Sequence, residues 1–205
     1  MTQKMIPLKL DGISENIYGG FWLRLGSTII DILIFIPLFL IMHYLHSLDK
    51  NYQILSSIVL SIFGFWYHVY LPKKYGGTPG KLISGIQILK INGESIGLKE
   101  ALLRELVTTI LGIFSTTVLI YCVLKANNDI YLSKSWERKA LYLSSFAPKL
   151  FNISIWVNNI WMYSELIVLL LNKRKRALHD YIAGTVIVKS KYIDAINLTM
   201  EKDNL

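Results

Sequence analysis

Four long apolar runs constrain this chain more than any other feature of its sequence. They cover residues 21–45, 52–71, 106–124 and 150–171. Each run has roughly the 20 mostly apolar residues that a helix needs to cross the hydrocarbon core of a bilayer. In a soluble chain of 205 residues, too little polar sequence would remain to cover four such helices. The expected fold class is therefore an all-α membrane protein with four transmembrane helices and the lipid bilayer as its partner.

The composition agrees with a membrane location. Hydrophobic residues make up 53% of the chain and charged residues 18%, against about 25% charged residues in average soluble domains. The net charge of +8 lies almost wholly between the apolar runs, so we attribute it to membrane topology and expect no nucleic-acid partner. A single cysteine, Cys122, excludes an intramolecular disulfide and a cysteine-based zinc site.

Lysine and arginine residues are shared unequally between the loops. Fourteen lie in residues 1–20, 72–100 and 172–205, and six lie in residues 46–51 and 125–149. Because cytoplasmic loops carry an excess of these residues, we predict a multi-pass protein of the cell membrane with both termini in the cytoplasm. The basic run at residues 173–176 is expected to contact anionic lipid. Asp11 and Glu15 make the N-terminal segment unlike a cleavable signal peptide.

Two short segments on the predicted cytoplasmic side are typical of β-strands. Residues 86–91 (IQILKI) precede Asn92-Gly93, a dipeptide that favours a hairpin turn. Residues 184–188 (GTVIV) form a second β-rich run in the tail. Since both segments fall on one predicted side of the membrane, we expect them to pair as a small cytoplasmic β element.

The segment GGTPGK before the first β-type run is expected to form a turn that starts a short helix. Thr78 is placed as the N-cap and Pro79 as the first helical residue. The segment lacks the spacing of a phosphate-binding P-loop, and His43, His68 and His179 lack the spacing of metal ligands. No nucleophile–base arrangement stands out, so we expect no enzyme activity, no metal and no cofactor.

The strongest functional candidates are ionisable side chains inside the apolar runs, because such groups are costly at membrane depth. Asp31 lies ten residues past Phe21, which is about 15 Å along the helix and near the midplane of a core about 30 Å thick. Arg24 shares a helix face with Asp31, but its side chain leans away from Asp31. Each of the two therefore needs a partner from elsewhere.

A proline and a second carboxylate extend this candidate site. Pro37 is expected to kink the first helix and free a backbone carbonyl near Asp31, and a polar side chain beside a broken helix is the pattern of transporter sites. Glu165 in the fourth run could reach the same depth, so we hypothesise that Asp31 and Glu165 form an ion or proton site. Two alternatives stay open: a neutral Asp31 in a structural kink, and a Glu165 that contacts Asn158, Trp161 or interfacial water.

Asp180 is a further acidic candidate outside the apolar runs. It follows the basic run after the last span and is expected at the membrane surface. There it is placed to meet Arg24 or Arg104, the latter at the cytoplasmic entry of the third span. An Arg24–Asp180 contact would tie the first span to the tail.

The sequence resembles the RDD family of membrane proteins, which is named for one arginine and two aspartates. Three segments carry the resemblance, GFWLRLGSTIIDILI, GGTPGKLISGIQILKINGE and ALHDYIAGTVIV, and they frame residues 19 to 188. The resemblance implies that Arg24, Asp31 and Asp180 are the family residues. Tyr181 stands where the family often has a basic residue. The family's TPGK turn would be formed by Thr78, Pro79, Gly80 and Lys81.

The resemblance also implies transport of an unidentified ligand, with cation–proton exchange proposed for some members. We divide the chain into a cytoplasmic N-terminal segment (1–20), a membrane domain (21–188) and a cytoplasmic tail (189–205). The first hypothesis for function is proton-coupled transport of a small ligand or cation, for which a homodimer would help to enclose a path. The second is a non-transporting scaffold or regulatory module that acts through its cytoplasmic face.

Overall fold

The computed structural model describes residues 5–202, so Lys4 and the last three residues of the expected tail lie outside the described residues. Two strands, β1 (Ile86–Lys90) and β2 (Thr185–Lys189), and a 3-10 turn at Ser190–Tyr192 accompany the helices. The helices of the described chain are α1 (Phe21–Leu45), α2 (Asn51–Tyr75), α3 (Pro79–Ile83), α4 (Leu98–Lys125), α5 (Asn128–Leu132), α6 (Trp136–Ser144), α7 (Pro148–Leu171), α8 (Leu178–Ile182) and α9 (Ile193–Lys202).

Four of these helices, α1, α2, α4 and α7, are long and apolar enough to cross a membrane. Many of their large apolar side chains are exposed in the isolated chain, among them Leu33, Ile113 and Leu171. Soluble monomers do not expose apolar surface on this scale, so these side chains belong in lipid. The expected fold class, a mostly helical membrane protein with four spanning helices and a small β element, is confirmed.

Two of the spanning helices extend well beyond the apolar runs from which they were predicted. α2 continues past residue 71 through Pro72 to Tyr75, and α4 begins at Leu98 rather than at residue 106. The apolar run marks only the part of a helix that needs hydrocarbon around it, whereas backbone hydrogen bonding continues into the polar interface. At the start of α4, the carboxylate of Glu100 accepts a hydrogen bond from the N–H of Gly97 at 2.8 Å.

The first spanning helix is continuous where a break was expected. α1 runs from Phe21 to Leu45 with Pro37 inside it. Because the bilayer offers no water to a freed backbone group, a spanning segment keeps its helix around a proline instead of ending there. The helix therefore does not end beside Asp31, and the kink expected at Pro37 stays a prediction.

The chain divides into two compact units. The first, here called the sheet unit, contains the described residues up to Leu33, Trp66–Val107 and the described residues from Tyr163 onward. The second, here called the helical unit, contains Ile34–Phe65 and Thr108–Met162. Each unit is therefore assembled from segments that lie far apart in the sequence.

The sheet unit is organised around the expected β pair. β1 and β2 are antiparallel, with Ile86 opposite Lys189 and Lys90 opposite Thr185. An isolated bridge closes the turn after β1, and Gly93 in that turn has a φ of 90°. This positive φ explains why the turn uses the asparagine–glycine dipeptide that predicted it.

Both faces of the β pair are buried, because side chains alternate between the faces along each strand. One face packs against the first described residues and α9, in a core of Ile6, Leu10, Ile17, Tyr18, Leu89, Val186, Val188, Ile196 and Met200. The other face packs against α2 and α4, in a core of Val69, Ile86, Ile88, Ile96, Ala101 and Ile187. The described parts of the expected N-terminal segment and tail thus contribute to a packed core.

In the helical unit, the connection between α4 and α7 folds as the two short helices α5 and α6. Tyr131 of α5 and Leu143 of α6 are buried in a core that includes residues of α4. The Nζ atom of Lys50 donates to the backbone carbonyls of Val123, at 3.0 Å, and Ala126. Lys50 thereby adds a donor to the carbonyl groups at the end of α4, where the last helical carbonyls lack i+4 partners.

Candidate functional site

Asp31 is 8% exposed, and its carboxylate accepts three hydrogen bonds within the sheet unit. Tyr67 Oη of α2 donates to Oδ1 at 2.5 Å, and the backbone N–H of Gly80 donates to the same oxygen at 2.7 Å. Thr78 Oγ1 donates to Oδ2 at 2.6 Å. Hydrogen bonds to a carboxylate are about twice as strong as neutral ones. Asp31 therefore fastens the start of α3 to α1 and α2.

The TPGK turn is shaped to reach this carboxylate. Thr78 is the N-cap residue of α3 and Pro79 lies in its first turn, as predicted, but the Thr78 side chain makes no cap bond to its own helix. It turns to Asp31 instead. A Cβ atom on Gly80 would collide with the backbone carbonyl oxygen of Ser27 and lie 2.7 Å from the Asp31 carboxylate carbon. Only glycine allows this approach.

Lys81 completes the turn. Its Nζ lies 3.4 Å from Thr78 Oγ1, which accepts from Lys81 and donates to Asp31. Burial lowers the pKa of Lys81 to about 8, the Arg104 cation acts in the same direction, and the Asp31 anion opposes both. Mildly alkaline pH is therefore enough to discharge a cation that touches the Asp31 network.

Asp180 is fully buried and binds two arginines. Arg24 Nη1 lies 2.8 Å from Oδ2, and Arg104 Nη1 donates to Oδ1. The backbone N–H of Ala177 adds a bond to Oδ2 at 3.0 Å, and Thr185 Oγ1 lies 3.3 Å from Oδ1. The sequence placed Asp180 beside Arg24 or Arg104; the structure brings it together with both.

The guanidinium groups of Arg24 and Arg104 determine the direction of the pKa shift of Asp180. Burial alone would raise the pKa of this carboxyl, but attraction from Arg24 and Arg104 outweighs burial and holds the pKa well below its usual range. Asp180 is therefore an anion across the physiological pH range. This triad of one carboxylate and two guanidiniums joins α1, α4 and α8.

Backbone carbonyls complete the arginine coordination. Arg24 Nε donates to the carbonyl of Gly19 at 2.9 Å, and its Nη2 donates to that of Lys175. Arg176 belongs to the basic run that was expected to contact anionic lipid, but it is buried and donates to the carbonyl of Asp180 at 2.8 Å. Its guanidinium also lies 4.0 Å from the ring centroid of Tyr181. Tyr181 thus holds the guanidinium of Arg176 over its ring.

Glu165 is paired with His179. Its Oε1 accepts the backbone N–H of His179 at 2.9 Å, and its Oε2 lies 2.6 Å from Nδ1 of the imidazole. Nε2 of His179 lies 2.9 Å from Nη2 of Arg104. Since Arg104 has only donors, Nε2 must accept and the proton of a neutral imidazole lies on Nδ1, toward Glu165.

Asp31 and Glu165 accept hydrogen bonds from different donors, and the hypothesised Asp31–Glu165 site stays a prediction. Glu165 contacts His179, and the alternative contacts with Asn158, Trp161 or interfacial water stay predictions. The donors to Asp31 come from Tyr67 and the TPGK turn. The donor to Glu165 Oε1 comes from the start of α8, and Glu165 Oε2 is buried without a hydrogen bond from the described part of the chain. Within residues 5–202, no group of three His, Cys, Asp or Glu residues could hold a metal ion.

Comparison with known proteins finds matches to the part of the chain that carries Arg24, Asp31 and Asp180. The RDD family model matches residues 18–184, a span that includes Arg24, Asp31 and Asp180. The chain is also similar to the uncharacterised protein YckC of Bacillus subtilis (strain 168), with 28% identity over 176 residues, which is 84% of this chain and 86% of that protein. No solved structure matches the chain.

Proposed function

Because the chain belongs to the RDD family, we propose that it is a non-transporting membrane module that scaffolds or regulates a partner through its sheet unit. The observation that carries the proposal is the saturation of Asp31 by Tyr67, Thr78 and Gly80. Transporter sites offer carboxylate or carbonyl oxygens to a mobile ion. Here the carboxylate oxygens are already used to position the chain, and no catalytic role is assigned to them.

The Asp180 triad supports the same proposal. Both arginines donate to the Asp180 carboxylate. Arg24 also donates to backbone carbonyls, and Arg104 contacts Thr185 and His179. Buried charges arranged in this way fix the geometry of the segments that carry them. The named residues of the family therefore serve to hold the sheet unit in one shape, which is what a docking platform needs.

Exposed residues of the sheet unit provide its attachment to the bilayer. Lys73 and Lys74 at the end of α2 and Lys173 after α7 are exposed. Lys74 Nζ lies 5.0 Å from the ring centroid of the exposed Tyr75, and Trp22 at the start of α1 is exposed as well. Aromatic and basic residues at the ends of spans favour an interface with anionic lipid. We place these basic and aromatic residues at the cytoplasmic leaflet, as the distribution of lysine and arginine between the loops predicts.

A flux measurement tests the proposal. The full chain is reconstituted in liposomes with fluorescent readouts for protons and for monovalent cations. We expect no flux above empty liposomes, and no difference between the parent and Asp31→Asn. Flux in the parent that Asp31→Asn abolishes, with the variant still folded by size-exclusion chromatography, would contradict the proposal.

The docking half of the proposal needs a second experiment. A photo-reactive amino acid is placed in cells at the exposed Lys191 of the sheet unit, and as a matched control at the lipid-exposed Ile113 of the helical unit. We expect a protein adduct of one defined mass from position 191 and none from position 113. The same adducts from both positions, or none from either, would speak against docking.

A second candidate function, proton-linked transport of a small ligand or cation, is favoured by the Glu165–His179 pair. The side chains are 15% and 27% exposed, so water can reach them, unlike Asp180. A homodimer would help four spans to enclose a path. In the liposome assay this candidate predicts a proton flux that Glu165→Gln removes and Asp31→Asn leaves in place.

A further inference from the structure

The helical unit contains a cavity of about 300 Å³ that neither the family residues nor the proposed function uses. It is lined by His46 and by residues of α5, α6 and α7, notably Tyr131, Trp136, Lys139, Leu143 and Phe151. Ligand pockets in proteins begin at about this size. The lining is largely apolar and aromatic, with a few polar groups.

The sequence of α6 explains why one side of the cavity is both apolar and basic. Trp136, Lys139, Ala140 and Leu143 are spaced i, i+3, i+4 and i+7, so they share one face of the helix. Leu143 is buried against α4, whereas Trp136 is mostly exposed. The face thus runs from a closed apolar end at Leu143 to an open aromatic end at Trp136.

Lys139 gives the cavity its charge. Its Nζ donates to the backbone carbonyl of His46 at 2.8 Å and lies 4.4 Å from the ring centroid of Tyr131. No Asp or Glu side chain among residues 5–202 forms an ion pair with it. Lys139 is half-buried, and this desolvation lowers its pKa.

The remaining polar groups narrow the choice of ligand. The imidazole of His46 is engaged with Ser56, with Nε2 and Oγ 2.7 Å apart, and the hydroxyl of Tyr131 is 3.3 Å from Gln53 Oε1. Glu137 also lines the cavity, and its side chain is exposed. Its charge disfavours a second negative charge on a ligand. Among the described residues that line the cavity, Lys139 is therefore the one lysine or arginine, and it has no anionic partner.

We propose that this cavity binds a single-chain amphiphile with one carboxylate head. The carboxylate lies at Lys139, and the apolar chain lies between Leu143 and Phe151 with Trp136 at the opening. A cavity of this volume holds one chain rather than the two chains of a phospholipid. The ligand class is thus a monocarboxylic fatty acid or a close analogue.

The test uses decanoate as the probe and the full chain in nanodiscs of phosphatidylcholine. Equilibrium dialysis with labelled decanoate measures binding after subtraction of empty nanodiscs, and decanol and decyltrimethylammonium serve as neutral and cationic competitors. We expect saturable binding of one decanoate per chain. Decanol should compete at least about tenfold more weakly, and the cationic amphiphile should not compete.

Variants locate the site. Lys139→Gln should raise the Kd for decanoate about tenfold and abolish the preference over decanol, whereas Lys139→Arg should keep both. Lys149→Gln removes an exposed charge that does not line the cavity and should change nothing. If Lys139→Gln does not fold, Ala140→Phe serves in its place, because it fills the cavity from an exposed position of α6 and should abolish saturable binding.

Three results would overturn the proposal. The first is uptake of decanoate that never exceeds empty nanodiscs, and the second is equal competition by decanol. The third is displacement of decanoate when phosphatidylglycerol replaces part of the phosphatidylcholine, because the anionic head would then come from a bilayer lipid and not from a free acid.

Discussion

Replacement of Asp180 by asparagine is the sharpest test of the triad. Asparagine keeps the shape and one acceptor oxygen but removes the charge that holds Arg24 and Arg104, whose side chains are only 12% and 6% exposed. At an effective dielectric constant near 20, each attraction across about 4 Å is worth about 4 kcal/mol. Removal of one member of a buried ion pair costs about 3–5 kcal/mol. We expect Asp180→Asn to lower the free energy of unfolding by that amount.

The assay is equilibrium unfolding of the purified protein in mixed micelles, with Asp194→Asn as the matched control. Asp194 is an exposed acid on α9, so its replacement should change the free energy of unfolding by less than about 0.5 kcal/mol. A loss below about 1 kcal/mol for Asp180→Asn would refute the reasoning, because the two arginines would then be compensated by other groups or by water.

The pH dependence gives an independent check on the same residue. The native pKa of Asp180 lies well below the unfolded value, which is about 3.9. Its contribution is therefore fully present above the unfolded pKa and is lost as the pH falls through the native pKa. The stability difference between the parent and Asp180→Asn should stay constant from about pH 7 to pH 5 and shrink below pH 4.

Three further predictions concern the Asp31 network. Gly80→Ala should lower the free energy of unfolding by about 1–3 kcal/mol in the same unfolding assay, because its Cβ meets α1, whereas Gly112→Ala, which has nothing within 4 Å, should not. Tyr67→Phe removes one donor from the Asp31 carboxylate and should cost about 1.5–3 kcal/mol; no change would show that water replaces the hydroxyl. Burial lowers the pKa of Lys81 to about 8, so between about pH 8 and pH 10.4 the native state binds fewer protons than the unfolded state. The free energy of unfolding should therefore rise with pH in this window. Lys81→Met should lose that rise when unfolding is measured against pH.

A swap of Arg24 and Asp180 is a less informative test than the sequence alone would indicate. If Asp180 contacted only Arg24, an exchange of the two residues would restore the pair. Since Arg104 also binds the carboxylate, an arginine at position 180 would face Arg104 and repel it. The double variant should therefore stay destabilised although the Arg24–Asp180 contact is present in the parent.

Much of the architecture was readable from the sequence because it depends on local rules. Apolar length predicts the spans, the asparagine–glycine dipeptide predicts the turn after β1, and alternating β-branched residues predict the paired strands. The helix ends were less predictable, since α4 begins eight residues before its apolar run. Polar residues of the interface continue a helix without leaving a hydropathy signal.

The candidate site was predicted only in part, because its contacts connect distant segments. A buried carboxylate such as Asp180 needs a cation, and the sequence offered Arg24 and Arg104 as candidates. No local feature of the sequence indicated that both arginines bind it. Tyr67 and His179 were missed as partners. Tyr67 carries a hydroxyl within an apolar run, and His179 adjoins Asp180. Neither position in the sequence reveals which carboxylate the side chain contacts. That choice depends on how the TPGK turn and α8 fold back onto the spanning helices.

The order in which the chain is made gives the Arg24 contact a consequence for biogenesis. Tyr67 follows Asp31 after 36 residues, but Asp180 follows Arg24 only after 156. At about 5–20 residues per second, that second interval lasts roughly 10–30 s. Throughout it, the newly inserted first helix carries a guanidinium whose carboxylate has not been translated. Of the acceptors that Arg24 has in the folded chain, only the Gly19 carbonyl exists during this interval; Lys175 and Asp180 follow at its end.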